Sequence, residues 1–177
     1  MSEPTSWHDS WWEAFREDDA VARAAWDRHV HQPLVRFCGY YLGSRDEAED
    51  AAQEVLCKLL EQAEKPREVR PWAYRVARNL CLNVRRARAR RRDGQRLPTT
   101  FEVAADLTGP ITRMVRGERA EEVQKRLAQL PDAQREPLVL RYVEGLDRAE
   151  IAEVLELSVS VVKSRLFEGL SRLRSEL

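Results

Sequence analysis

The sequence lacks the features that mark membrane, secreted and metal-binding proteins. No apolar run reaches the length of about 18 residues that a membrane-spanning helix needs. The start, MSEPTSWHDSWWEAF, is polar and acidic, whereas a signal peptide is first basic and then apolar. Cys38, Cys57 and Cys81 are widely spaced, which argues against a disulfide framework and a zinc site. We therefore expect a cytoplasmic protein with no membrane insertion, no metal and buried thiols.

Strand patterns are also scarce, so the sequence predicts an all-α fold. Apolar residues recur at intervals of three and four, which is the spacing of one helix face. The segment 93–110, DGQRLPTTFEVAADLTGP, breaks this pattern with two glycines and two prolines and is predicted to be a flexible linker. We expect two small helical domains, 1–92 and 111–177, on either side of it.

Capping signals predict where several helices begin and end. In the first domain, Ser10 with Glu13 fits a capping box for a short helix. Gly43 is a plausible C′ residue for a helix that starts near Pro33, and Ser44 or Asp46 begins the next helix, which ends near Gln62. Each of these positions is a typical helix boundary residue.

The second domain is predicted to contain a helix-turn-helix. Asp147 and Glu150 have the spacing of a capping box for a helix over Arg148–Leu155, and Ser158 can cap the last helix. Two helices joined by a three-residue turn fit that motif. The inward face of the last helix is expected to comprise five apolar residues: Val159, Val162, Leu166, Leu170 and Leu173.

The net charge of zero conceals two segments of opposite sign. Asp46–Glu54 carries five acidic residues and no basic one, while Arg70–Arg92 carries nine arginines and no acidic residue. Surface helices normally mix both signs. The arginine segment is therefore expected to bind a polyanion, and the acidic segment needs a different partner.

Three segments together resemble a known family. EAEDAAQEVLCKLL (47–60), RPWAYRVARNLCLNVRR (70–86) and LPDAQREPLVLRYVEGLDRAEIAEVLELSVSVVKSRL (130–166) are similar, in this order, to regions 2 and 4 of bacterial RNA polymerase sigma factors. The short linker between them is typical of the extracytoplasmic-function (ECF) class. The resemblance implies a protein that binds core RNA polymerase, recognises the minus-10 and minus-35 promoter elements and promotes DNA melting.

The resemblance implies a minus-10 pocket between the loop Ala63–Pro71 and the start of the arginine segment, where an extruded base would be held. The candidate residues are Lys65, Arg67, Tyr74, Arg75, Arg78, Asn79, Arg85 and Arg86. For the two aromatic residues near the start of this helix, packing in the core is the alternative to DNA binding. Core packing is favoured for Trp72, and the two alternatives are equally favoured for Tyr74. The packed side of this helix is expected to comprise Trp72, Val76, Leu80 and either Val84 or Asn83.

The resemblance also implies that the last helix binds the minus-35 element in the major groove. The candidate residues are Ser160, Val161, Lys163, Ser164, Arg165 and Phe167.

Two departures from the family pattern affect this last helix and the turn before it. Glu156 replaces a turn glycine, so a left-handed backbone there would be less favourable. Glu168 and Gly169 replace a basic residue and an alanine, so we expect the contacts to concentrate in the first two turns.

Asp50, Gln53 and Glu54 share one helix face because they lie at positions i, i+3 and i+4. Taken alone, such a face is more typical of a solvated surface. The resemblance implies that it binds the coiled coil of the polymerase β′ subunit, and that the β flap is a further partner. The resemblance is also consistent with an anti-sigma protein as a partner, although no residue in the sequence indicates one.

Two other classes of function fit the sequence less well. A polymerase-independent helix-turn-helix regulator leaves the acidic and arginine segments unexplained. An enzyme is not indicated, because the sequence has no Ser/His/Asp set and no glycine-rich phosphate-binding loop, and we expect no catalytic residue and no cofactor.

Overall fold

The computed structural model describes residues 24, 26–91 and 125–175, and this part of the chain consists of helices and short connections without a strand. The chain divides into two compact units, Met1–Gln95 and Arg96–Leu177. The predicted all-α, two-domain fold is confirmed. The boundaries at 92 and 111 stay predictions, because 92–124 and the helix predicted after Ser10 lie outside the described residues. No described helix is both long and apolar enough to cross a membrane.

Three helices form the described part of the first unit. A π-helical turn, Asp27–His31, leads directly into α1 (Gln32–Leu42), which is followed by α2 (Arg45–Leu60) and α3 (Val69–Arg91). Helix α1 packs against both α2 and α3, and these two also touch each other. The core between them includes the buried side chains of Val30, Leu34, Phe37, Val55, Leu59 and Tyr74.

The turn between α1 and α2 follows from two adjacent residues. Gly43 has a φ of 66°, which glycine adopts without steric cost, and its N–H donates to the carbonyl of Gly39 at 2.9 Å. The Ser44 hydroxyl accepts a hydrogen bond from the backbone N–H of Glu47 at 3.5 Å and so caps α2. The predicted helix end at Gly43 and cap at Ser44 are confirmed.

The cysteines only partly follow the sequence prediction. Cys38 and Cys81 are buried, as expected, but Cys57 is exposed. The buried stripe of α2 passes through Ala48, Ala52, Val55 and Leu59, which leaves residue 57 on the opposite, solvent-facing side. A run of apolar neighbours in sequence therefore did not indicate burial at this position.

The described part of the second unit, residues 125–175, contains three further helices and one preceding helical turn. Residues 125–129 are helical, α4 (Asp132–Leu138) follows, and a π-helical turn, Val139–Val143, extends it. Pro137 lies inside α4 and has no N–H to donate to the preceding turn, so the regular ladder is interrupted just before the wider turn. The unit ends with α5 (Arg148–Leu155) and α6 (Val159–Ser175).

A buried arginine supports the start of this unit. Arg135 is only 1% exposed. Its guanidinium donates to the carbonyls of Ala128 and Leu130 at 3.0 and 3.3 Å, and it pairs with Asp132. These carbonyls lie at a helix end, where they have no partner within their own helix. The sequence does not predict its burial, since an arginine within a polar stretch is usually exposed.

Helices α5 and α6 form the predicted helix-turn-helix. The Asp147 carboxylate accepts from the N–H of Ala149 at 2.7 Å, and the Glu150 carboxylate accepts from the N–H of Asp147 at 2.7 Å, which completes the predicted capping box. The Ser158 hydroxyl accepts from the N–H of Val161 at 3.3 Å and caps α6. Glu156 ends α5 in a left-handed conformation, with a φ of 54°.

The inner face of α6 differs from the predicted one at its first residue. Val162 and Leu166 are buried and Leu170 and Leu173 are half-buried, but Val159 is 48% exposed. The prediction for Val159 is wrong: it is the first residue of α6, and the described part of the unit covers Val162 in the same turn but leaves Val159 at the surface. Gly169 is buried instead, and a Cβ there would lie 2.8 Å from Cδ1 of Leu138, so glycine permits the close approach of α6 to α4.

Candidate nucleic-acid interface

Helix α3 packs through a different stripe from the one predicted. Its buried residues are Pro71, Ala73, Tyr74, Ala77 and Cys81, whereas Trp72, Val76, Leu80 and Val84 are half-buried. The predicted packing side is therefore wrong. The alanines at 73 and 77 have small side chains that let the helices of the core approach closely, and a pattern based on large apolar residues gives such positions too little weight.

Tyr74 belongs to the core of the first unit. Its side chain is 1% exposed, and its ring meets that of Phe37 edge-on with centroids 5.1 Å apart. The prediction that the Tyr74 side chain binds minus-10 DNA is therefore wrong, and the core-packing alternative is correct. Trp72 lies on the other side of the helix and is half-buried.

The remaining minus-10 candidates lie at the surface of the first unit. In the loop 61–68, Arg67 is exposed and Lys65 is half-buried. On α3, Asn79 and Arg86 are exposed, while Arg75, Arg78 and Arg85 are half-buried. Trp72, Arg75, Asn79 and Arg86 follow one another at intervals of three, four and seven, so they share one face of α3. That face combines an aromatic ring, an amide and two guanidinium groups.

One arginine of the segment serves the unit itself. Arg88 donates through Nη1 to the carbonyl of Leu42 at 3.0 Å and pairs with the carboxylate of Glu47. It thereby satisfies the last carbonyl of α1 and joins α3 to the first turn of α2. The charge pattern does not distinguish Arg88 from its neighbours, although its spacing of seven from Cys81 and fourteen from Tyr74 places it on the packed side.

The acidic face of α2 lies at the surface. Asp50, Gln53 and Glu54, named here the acidic patch, are all exposed. Among the described residues Asp50 has no hydrogen-bond or ion-pair partner, while Glu54 pairs with Lys58 at 3.3 Å. Glu47 of the acidic segment pairs with Arg88 of the arginine segment, and this pair does not involve the acidic patch.

Helix α6 presents the minus-35 candidates on its first three turns. Ser160, Val161, Lys163, Ser164 and Phe167 are exposed, and Arg165 is half-buried on the flank of the helix. Ser160, Lys163, Ser164 and Phe167 lie at positions i, i+3, i+4 and i+7, so they form one continuous face. Phe167 is 73% exposed, which is unusual for a phenylalanine without a binding partner.

A side-chain cluster that the sequence does not predict borders this face. Glu168 accepts a hydrogen bond from the Gln134 amide nitrogen at 3.1 Å through Oε2 and another from the Ser164 hydroxyl at 3.0 Å through Oε1. Gln134 is on α4 and is almost fully buried. The carboxylate that departs from the family pattern is thus held between α4 and α6.

Comparison with known proteins assigns the family. A family model described as Sigma-70 region 2 matches residues 27–91, and one described as Sigma-70, region 4 matches residues 120–173. The ECF RNA polymerase sigma factor SigW of Bacillus subtilis is 30% identical over 156 residues, which cover 81% of this chain and 82% of SigW. The chain belongs to the ECF sigma factors.

One further relative agrees with this assignment, and two solved structures share the fold. The ECF RNA polymerase sigma factor ShbA of Streptomyces griseus is 32% identical over 170 residues, covering 90% of this chain and 89% of ShbA. The fold is similar to that of CnrH in a complex with the cytosolic domain of CnrY, with a TM-score of 0.62, 18% identity and 94% of both chains covered. It is also similar to the sigma factor RpoE of Bartonella quintana, solved in a complex with the anti-sigma factor NepR. The TM-score is 0.63 and the identity is 21%, and the match covers 82% of this chain and 90% of RpoE.

The two family matches coincide with the two described parts of the sigma factor. Region 2 spans α1 to α3, and region 4 spans α4 to α6 with the helix-turn-helix. As an ECF sigma factor, the protein binds core RNA polymerase and promoter DNA and acts in transcription initiation. The predicted function of a sigma factor in transcription initiation is therefore confirmed.

Proposed function

We propose that this sigma factor divides promoter recognition and polymerase binding among three surfaces. The loop 61–68 and the exposed face of α3 bind the minus-10 element, the first turns of α6 bind the minus-35 element, and the acidic patch binds the polymerase. The proposal includes the domain limits 1–92 and 111–177 with a linker at 93–110, and a cytoplasmic location. The observation that carries it is that three exposed helix faces have three different chemistries.

The minus-10 surface has the groups that strand separation needs. Guanidinium groups of Arg67, Arg75 and Arg86 attract the phosphate backbone, but charge alone does not open a duplex. Extruding a base costs a few kcal/mol, and stacking and hydrogen bonding in a pocket offset that cost. Trp72 and Asn79 share the face of Arg75, so we assign stacking to Trp72, which replaces Tyr74 in this role. Lys65, Arg78 and Arg85 complete the basic surroundings.

The minus-35 surface suits base recognition in the major groove. Ser160, Lys163 and Ser164 supply hydrogen-bonding groups to base edges and phosphates, and Val161 and Phe167 supply apolar contact to thymine methyl groups. Arg165, on the flank of α6, is in a position to bind a phosphate. Beyond Phe167 the helix carries Glu168, whose charge opposes phosphate binding, so phosphate contacts are limited to the first turns.

The acidic patch suits a protein partner. Exposed ion pairs such as Glu54 with Lys58 contribute about 0–1 kcal/mol, so Glu54 can exchange Lys58 for a basic partner at little cost. Asp50 and Gln53 are exposed beside it. We assign this patch to the β′ coiled coil of core polymerase and add the β flap as a contact of region 4. An anti-sigma protein is a further proposed partner, since two proteins of similar fold were solved as complexes, one of them with an anti-sigma factor.

Charge reversal of the acidic patch tests this proposal. Asp50→Lys combined with Glu54→Lys places two like charges against the basic partner, and such juxtapositions cost several kcal/mol. We expect affinity for core polymerase to fall at least about 100-fold, and promoter-dependent transcription to be lost with it. Fluorescence anisotropy with labelled sigma factor measures binding, and circular dichroism confirms that the helices remain.

A matched variant controls for charge. Glu64→Lys with Glu68→Lys makes the same change of charge at two exposed positions of the loop 61–68, outside the acidic patch, and should leave core binding within about threefold of wild type. Full core binding by the acidic-patch variant would refute the docking assignment. A regulator independent of polymerase would in addition run as a dimer in gel filtration and protect operator DNA without core enzyme.

A further inference from the structure

The hydrogen bonds around Glu168 determine what Ser164 can offer to DNA. A carboxylate has only acceptor atoms, so the 3.0 Å contact between Ser164 Oγ and Glu168 Oε1 requires the serine to donate its proton. A serine hydroxyl has one proton and two lone pairs. With the proton directed at Glu168, the oxygen faces the solvent side of α6 as an acceptor.

The carboxylate is positioned from outside α6. Gln134 on α4 is almost fully buried and donates its amide nitrogen to Glu168 Oε2 at 3.1 Å. The close approach of α4 and α6 at Gly169 brings this amide within reach, because a Cβ at 169 would meet both Leu138 and the backbone carbonyl of Gln134. Gln134 is therefore a positioning residue that keeps Glu168 beside Ser164 rather than free in solvent.

This arrangement has a consequence for the sequence of the promoter. In the major groove, cytosine and adenine present amino groups as donors, whereas the groups of guanine and of thymine at the equivalent edge are acceptors. We propose that Ser164 and Glu168 form an acceptor-only pair that selects cytosine or adenine at one position of the upstream promoter element. This inference rests on the proposed binding of that element by α6.

Transcription from a randomised promoter library tests the inference. The full-length sigma factor is combined with core RNA polymerase, the upstream element is randomised, and the transcribed templates are sequenced. For wild type we expect one position at which cytosine and adenine are enriched about tenfold over guanine and thymine. In Glu168→Ala the serine hydroxyl is free to donate, and the preference at that position should fall below about twofold.

Three further variants separate base selection from charge and folding. In Glu168→Gln a single amide oxygen remains for the two donors, the Gln134 amide and the Ser164 hydroxyl. The serine proton is then held only part of the time, so the preference for cytosine and adenine should lie between those of wild type and Glu168→Ala. Adding Ser164→Ala to Glu168→Ala should change the preference no further, because the two residues act as a unit. Glu156→Gln removes an exposed carboxylate from the turn before α6 and should leave the preference at wild-type strength. Thermal melting followed by circular dichroism confirms that each variant is folded.

The outcomes distinguish this inference from the proposed function. Wild-type transcription without a cytosine or adenine preference, or an undiminished preference in Glu168→Ala, would overturn the acceptor-only pair and leave the proposed function standing. A wild-type protein that binds core polymerase but initiates from no library member would overturn both. Loss of the preference in Glu168→Ala with retention in Glu156→Gln is the supporting result.

Discussion

Tyr74 on α3 and Phe167 on α6 are both aromatic residues on helices that we propose to bind DNA, yet their surroundings are opposite. Tyr74 is 1% exposed and packs on Phe37, while Phe167 is 73% exposed. The difference shows that an aromatic residue within a nucleic-acid-binding helix has no fixed role. Its position relative to the packed stripe of the helix decides whether it stabilises the fold or is available to the ligand.

The two helices also differ in how their polar residues are distributed. Helix α3 has basic residues and asparagine on its exposed face, and one of its arginines, Arg88, is used inside the unit. Helix α6 mixes serine, lysine and glutamate, and Glu168 is tied to α4. A uniformly basic face favours any nucleic acid strand, whereas a face with oriented donors and acceptors distinguishes one base from another.

The largest expected difference lies between Tyr74→Ala and Phe167→Ala. Removing the buried ring leaves a cavity beside Phe37, and such truncations cost about 3–5 kcal/mol of the free energy of unfolding. Phe167→Ala should change stability by no more than about 0.5 kcal/mol, since its ring is exposed. Urea unfolding monitored by circular dichroism measures both. Promoter binding by the holoenzyme should weaken in Phe167→Ala despite its unchanged stability, and equal destabilisation by both changes would contradict the comparison.

A smaller difference is expected between two arginines of α3. Arg88→Ala removes a hydrogen bond to the Leu42 carbonyl and an ion pair with Glu47. Because both interactions are partly exposed to solvent, their loss should lower the free energy of unfolding by only about 1 kcal/mol. Arg86→Ala should leave stability unchanged. It should instead reduce the slope of log affinity against log salt for promoter DNA by about 0.9, the value for one phosphate contact on duplex DNA.

Measuring that slope for both variants tests the division of roles. The assignment fails if Arg88→Ala lowers the salt slope while stability is preserved, since Arg88 would then be a DNA contact. It fails equally if Arg86→Ala unfolds the first unit. Arg91, which is exposed near the end of α3, offers a comparison site within the same segment.

The smallest effects are expected at two of the left-handed helix ends. Gly43 and Glu156 have φ values of 66° and 54°, but only the first is glycine. Gly43→Ala should destabilise by about 1 kcal/mol, since a Cβ is unfavourable in this conformation. Glu156→Gly should stabilise by about 0.5 kcal/mol, because relief of strain exceeds the added entropy of the unfolded chain. Thermal melting of the two variants beside wild type gives the signs, and stabilisation by Gly43→Ala would contradict the argument.

Local signals in the sequence were sufficient for helix ends and for the helix-turn-helix. Ser44, Asp147 with Glu150, and Ser158 cap helices as predicted, because a cap depends on residues within one turn of each other. The family followed from three motifs in order. The exposure of the acidic patch and of Ser160, Lys163 and Ser164 also agrees with helical spacing alone.

Sequence alone therefore determined the helical class, the helix ends and the family, since all of these depend on neighbours along the chain. The tertiary structure decided which side of α3 packs, and with it the burial of Tyr74 and the internal use of Arg88. It also decided the burial of Arg135 and the bonds that hold Glu168. Arg88 pairs with Glu47, 41 positions away, and Glu168 accepts from Gln134, 34 positions away, so neither contact follows from neighbouring residues. Periodicity within one helix holds no information on which distant helix will cover it.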